Sequence, residues 1–283
     1  MPIPSSALET DAWLRVLVLG PPKTWKTTTA ITTIEGFTRV LLCESDSALS
    51  EARRQGGKFD FERVMDATRP YEQMTTFLVQ AKADAKAGNI DNVLIDPLSD
   101  FADRLLGQSM GLNLTTNGEE DGRRGYPHYT KRLMHCLDLA LSIPCNVIVI
   151  SHFLELGSGD LGGLKKTGEG IVPLIPGSAR ARVAARFNDV LWMDLPSDGD
   201  VNKRSFYTAP RGAWGPGCRS LSGKYSELPA DFTALIKTFK TTGVPAPKKA
   251  PAQVAAAKPP PSNGAPKIQP KPPTKPQPAP VRR

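Results

Sequence analysis

Gly20-Pro21-Pro22-Lys23-Thr24-Trp25-Lys26-Thr27 fits the phosphate-binding pattern G-x-x-x-x-G-K-[ST] at every fixed position but one. In such a loop, backbone N–H groups running into the start of a helix, here through Thr28, wrap a β-phosphate. Lys26 then reaches the β- and γ-phosphates, and the Thr27 hydroxyl is placed to hold Mg²⁺. The departure is Trp25, which stands where the second glycine belongs. That glycine adopts a backbone geometry costing a residue with a Cβ about 1–2 kcal/mol. Three readings are open at this point: a nucleotide site that hydrolyses, one that binds but turns over poorly, and a Lys/Thr-rich turn that binds no nucleotide.

Three further positions carry chemistry. Asp96 ends the apolar run Val93-Leu94-Ile95, where a carboxylate near the loop can hold the Mg²⁺ shell through water or simply cap the next turn. Glu44 and Asp46 follow a second apolar run as Cys43-Glu44-Ser45-Asp46. Either acid can orient or deprotonate a water in line with a γ-phosphate, or belong to a solvated turn. His152 follows Val149-Ile150-Ser151, as a γ-phosphate sensor or a structural hydrogen-bonder. Arg180, Arg182, Arg186, Arg211 and Arg219 are candidate arginine fingers or solvated arginines, and Lys165-Lys166 are candidates for a phosphate backbone.

These residues need a scaffold that brings strand ends together. Strand-length apolar runs at 14–19, 38–43, 92–95, 146–150 and 189–193 alternate with helix-like spacing, as in 71–86 and 129–141. A helix is expected from Thr27 to Ile34, another from near Asp100, a strand at Phe206-Tyr207 and a closing helix through Phe232, Leu235-Ile236 and Phe239. The alternation predicts an α/β fold with a mainly parallel twisted sheet flanked by helices. Residues 111–126 read as a surface insertion, and 156–172, with six glycines, as a functional or mobile loop.

The whole formal charge of +8 is accounted for by the eight basic residues of 243–283, a stretch without acids. Residues 1–242 therefore read as one neutral domain, and 243–283 as a disordered Pro/Lys-rich tail that either solvates or attaches electrostatically to DNA, RNA or an acidic protein. No run is long enough to span a bilayer, and the first residues carry no secretory pattern, so no membrane contact and a cytoplasmic location are expected. The four cysteines have no C-x-x-C pairing and read as buried free thiols.

Residues 13–240 resemble the RecA-like P-loop ATPases, and within them the phage nucleotide-binding proteins of the Sak type, which act in single-strand annealing and recombination. The resemblance rests on the GPPK opening of the loop, the acid-x-acid at Glu44 and Asp46, and Ile95-Asp96-Pro97-Leu98-Ser99-Asp100. It continues in Val149-Ile150-Ser151-His152, Pro173–Arg180 and Phe187-Asn188-Asp189-Val190. It implies ATP with Mg²⁺, a homo-oligomeric ring or filament, single-stranded DNA as partner, and His152 as the polar sensor. It further implies catalysis by the second acid, Asp46, and a DNA-facing loop after His152. A single-strand binding protein or another replication protein is a candidate partner of the basic tail, above all in the first of the rival readings below. Two rival functions remain in view: a nucleotide-dependent interaction module with impaired hydrolysis, and a helicase loader or motor.

Overall fold

The computed structural model describes residues 13–64, 66, 68–156, 170–195, 200, 203–208 and 226–241. Short runs of branched aliphatic residues make the strands, because such side chains pack well on a pleated surface. They are β1 (Arg15–Leu19), β2 (Thr38–Leu42), β3 (Phe59–Arg63), β4 (Asn92–Asp96) and β5 (Asn146–Ser151). After the ribbon β6 (Phe153–Leu156) and β7 (Gly170–Pro173) come β8 (Asp189–Asp194), β9 (Ser205–Tyr207) and β10 (Glu227–Pro229). The helices are α1 (Lys26–Thr32), α2 (Ser47–Arg54), α3 (Pro70–Lys86), α4 (Leu98–Gly111), α5 (Gly122–Leu141), α6 (Ala179–Ala185) and α7 (Phe232–Thr241).

The main sheet runs β10-β9-β8-β1-β5-β4-β2-β3. Pairings from β8 through β3 are parallel, while β9 is antiparallel to both β8 and β10. Both faces of the central strands are covered, as a parallel sheet requires. Leu17, Leu19, Val93, Ile95, Val147 and Val149 point into one core with α3, α4, α5 and α6. Val16, Val18, Leu94, Ile148 and Ile150 point into the other, with α1, α2 and α7. Every other residue therefore serves a different layer, which fixes the register of each strand.

Far from the loop, side chains lock the ends of the sheet. Leu14 N donates to Asn146 Oδ1 at 3.1 Å, and Asn146 Nδ2 donates to Asn92 Oδ1 at 2.9 Å. Arg15 spends its guanidinium on the carbonyls of Leu141, Ile143 and Cys145, tying β1 to the end of α5.

Two sequence expectations are corrected. Residues 122–126 are not part of a surface insertion but the opening of α5, capped by Asp121, whose side chain accepts from Arg123 N at 3.0 Å. Gly125 is there for contact: a Cβ would lie 2.2 Å from Met110 Sδ of α4. The ends of the glycine-rich loop are likewise ordered as the antiparallel β6–β7 ribbon, with Phe153 opposite Pro173 and Leu156 opposite Gly170. Phe153 packs edge-on against Trp192 with centroids 4.8 Å apart. Residues 157–169, with Lys165-Lys166, and the tail from 242 on lie outside the described residues.

Candidate functional site

The turn after β1 is shaped by what surrounds it. Gly20 passes so close to β8 that a Cβ would come 2.2 Å from the Met193 carbonyl oxygen, so no other residue fits there without moving the sheet. Lys23 and Trp25 then take φ values of 64° and 66°, and they are the only non-glycine residues with positive φ among the described residues. Trp25, with ψ 26°, thus occupies the left-handed conformation expected of the glycine it replaces. Left-handed residues within a turn are a component of the backbone nests that bind anions.

Lys26 follows as the first residue of α1 and folds back over the turn. Its Nζ donates to the carbonyls of Gly20 (3.0 Å) and Pro21 (2.6 Å), with Thr24 Oγ1 at 3.3 Å. Burial lowers its pKa to about 8, against the opposing pull of Asp96, Glu44 and Asp194. Thr27 Oγ1 donates to Asp96 Oδ2 at 2.5 Å, joining the loop to the end of β4. β4 is not the neighbour of β1, since β5 lies between them, so Asp96 reaches Thr27 across one strand. Burial pushes the Asp96 carboxyl up to about 7, Thr27's hydrogen bond notwithstanding.

Pro22, Lys23, Trp25, Lys26, Thr27 and Thr28 line one side of a cavity of about 690 Å³; Glu44, Asp96, Ile150 and His152 line the rest with Ser45 and Ser47. These are the carboxyl ends of β1, β2, β4 and β5, where open parallel sheets bind ligands. Glu44 is half-buried, and its pKa is raised by burial and then by Asp100, with Lys26 opposing. It makes no hydrogen bond or ion pair among the described residues, so its oxygens are available to water. The His152 ring is held toward its neutral form by burial and by Lys26, while its backbone N donates to Ser99 Oγ at 3.4 Å.

Asp46, the acid favoured by the resemblance, does not line this cavity. It precedes α2 with its side chain 62% exposed and is ion-paired with Arg63 at the end of β3. Thr24 also stays off the wall, its hydroxyl donating to the Pro21 carbonyl at 2.9 Å. Of the arginines, Arg180 donates to the Gly177 carbonyl at 2.9 Å and Arg186 pairs with Asp138 at 2.5 Å. Arg211 and Arg219 lie outside the described residues. Sequence reasoning passed over Asp100, which stands in the first turn of α4, and Arg204, whose guanidinium carbon sits 6.0 Å from the Trp25 ring centroid. Asp100 lay in view within the Asp96–Asp100 string, whereas nothing in Lys203-Arg204-Ser205 signals proximity to a loop far earlier in the chain.

The oxygen donors fit a hard divalent ion: the Thr27 hydroxyl touches a buried carboxylate that has no ion pair among the described residues. No helix among the described residues is long and apolar enough to cross a membrane.

Residues 12–220 match the family model described as AAA domain. No curated protein matches the chain. Among solved structures, it is similar to an ATPase of the type III secretion system of pathogenic bacteria, at 14% identity and a TM-score of 0.42. That alignment covers 65% of this chain and 51% of the other, so the chain spans about half the length of that ATPase. A KaiC-like protein from the archaeon Pyrococcus horikoshii aligns at 16% identity and a TM-score of 0.39, over 70% of this chain and 78% of that one. With the family match extending over most of its length, the chain belongs to the AAA domain family, as a P-loop ATPase-type domain on the mainly parallel, helix-flanked sheet that the sequence predicts.

Proposed function

We propose that this ATPase acts on single-stranded DNA as a phage-type recombination protein, promoting annealing or strand exchange. One observation carries the nucleotide part of the reading: Lys26, Thr27, Asp96, Glu44 and His152 converge on one cavity from four strand ends. Lys26, released from the Gly20 and Pro21 carbonyls, would place its ammonium on the β- and γ-phosphates. Thr27 and Asp96 are the residues to hold Mg²⁺, which when bound supplies charge compensation for the phosphates. Glu44 would orient the attacking water and take its proton, being the carboxylate on the cavity wall with no hydrogen-bond partner among the described residues. His152, neutral and at the end of β5, would hydrogen-bond the γ-phosphate or that water.

The DNA part rests on the order of segments shared with the Sak-type proteins and on the way His152 leads directly into β6. A change at His152 on hydrolysis would pull on the β6–β7 ribbon, whose connecting residues include Lys165 and Lys166. Binding led by the phosphate backbone would tolerate any base sequence and weaken with salt. The basic tail and assembly into a ring or filament belong to the same proposal.

The test is phosphate release with and without single-stranded DNA. Wild type should be stimulated by single strands more than by duplex. Glu44→Gln should lose about 10²–10⁴-fold in kcat with its ATP affinity kept, while Asp46→Asn stays within a few-fold of wild type. Tight ATP binding with no release would favour the interaction module, and stimulation by duplex alone would favour a motor.

A further inference from the structure

Arg204 stands just before β9, at the other end of the chain from the phosphate loop, yet its guanidinium lies over the indole of Trp25. Trp25 belongs to the cavity wall, and the backbone at φ 66° holds its ring in place at a cost of about 1–2 kcal/mol. Nη1 of Arg204 is buried and has no hydrogen-bond partner among the described residues. No carboxylate there pairs with it, and burial alone lowers its pKa. The side chain is only partly buried, but a buried guanidinium N–H without an acceptor is unfavourable until one arrives.

We propose that Arg204 is a nucleotide-binding residue: it takes a phosphate oxygen of the triphosphate on the loop, with Trp25 as the platform that holds its guanidinium. A planar guanidinium both stacks on an aromatic face and offers paired N–H donors to phosphate, which an ammonium does not. Trp25 then has a task that glycine would not perform, and the left-handed strain at this position is the cost of keeping an indole there. The arginine is supplied within the same chain, and it is none of the five arginines that sequence reasoning put forward.

The inference rests on the nucleotide reading of the loop, so the experiment separates the two. Calorimetric titration of the full chain with Mg-ATP and with Mg-tripolyphosphate is run on wild type, Lys26→Ala, Arg204→Gln and Arg204→Lys, alongside ligand-free melting. Arg204→Gln should weaken both ligands by about 10–100-fold, the range of hydrogen bonds to charged groups. Arg204→Lys should recover part of that loss. The ligand-free melting temperature of Arg204→Gln should be equal to or above wild type, because a buried guanidinium donor without an acceptor has gone. Unchanged affinities in Arg204→Gln beside a loss in Lys26→Ala would overturn the proposal and leave the loop reading intact. A loss for ATP but not for tripolyphosphate would move Arg204 to the base and overturn it, as would a markedly lower melting temperature. Wild type that takes up neither ligand would overturn the loop reading first, and Arg204 with it.

Discussion

Lys26 and Asp96 share one cavity, and burial pushes each toward its neutral form, to about 8 and about 7 respectively. A triphosphate needs Lys26 charged, and Mg²⁺ needs Asp96 ionised. Mg-ATP affinity should therefore rise with pH until Asp96 has lost its proton and fall as Lys26 loses its own, with a maximum between about 7 and 8. Titration calorimetry across that window checks this. Asp96→Asn should abolish the rise and weaken Mg²⁺-dependent binding. The sign for stability is the opposite: the Asp96 pKa is raised on folding, so the ligand-free fold is most favoured below the ordinary Asp range and loses stability as pH climbs through about 7. Asp96→Asn, which can still accept from Thr27, should thus stabilise the ligand-free protein above that pH, by about 1–3 kcal/mol. Lower stability of the variant at pH 8 in urea would contradict the assignment.

At the scale of elements, the strand ends decide which side chains meet. Gly20 lies against the Met193 carbonyl because β1 pairs with β8, and Gly20→Ala would set a methyl 2.2 Å from that oxygen. The expected cost is about 1–3 kcal/mol or more, read as a lower urea midpoint, with β1 and β8 forced apart. A variant as stable as wild type would mean that the turn after β1 can shift freely. Most strands could be read from the sequence because each is a short aliphatic run flanked by turn residues, as in Val93-Leu94-Ile95 and Val147-Ile148-Val149. Strand β3 escaped notice since Phe59-Asp60-Phe61-Glu62-Arg63 is a half-polar edge strand, and α2 because Ser47–Arg54 has a single large apolar residue, Leu49. Glycine misled twice, at Gly125, which serves helix contact, and in 156–172, whose glycines hid the strand through Ile171-Val172 that pairs with Phe153–Leu156. That the loop, Asp96 and His152 stand at strand ends was legible because each closes a short aliphatic run. That Glu44 lines the cavity while Asp46 pairs with Arg63 was not, since it depends on a neighbouring strand.

At the scale of the whole domain, the described residues form a mainly parallel sheet sealed on both faces by two separate apolar cores, with the phosphate loop's cavity at the carboxyl ends of its strands. That division lets the cavity hold poorly compensated charges, Lys26, Asp96 and Glu44, while burial elsewhere stabilises the fold. A ligand that binds only the folded state adds its binding energy to that stability, so Mg-ATP should raise the melting temperature. The most direct measurement is calorimetric titration of Mg-ATP into the full chain and into Lys26→Ala. Wild type should bind saturably, and the variant should lose about 10–100-fold or more in affinity, as charged hydrogen bonds to phosphate disappear. Equal affinity in the two proteins, or no binding to wild type at millimolar ATP, would show that the turn bearing Trp25 is not a triphosphate site.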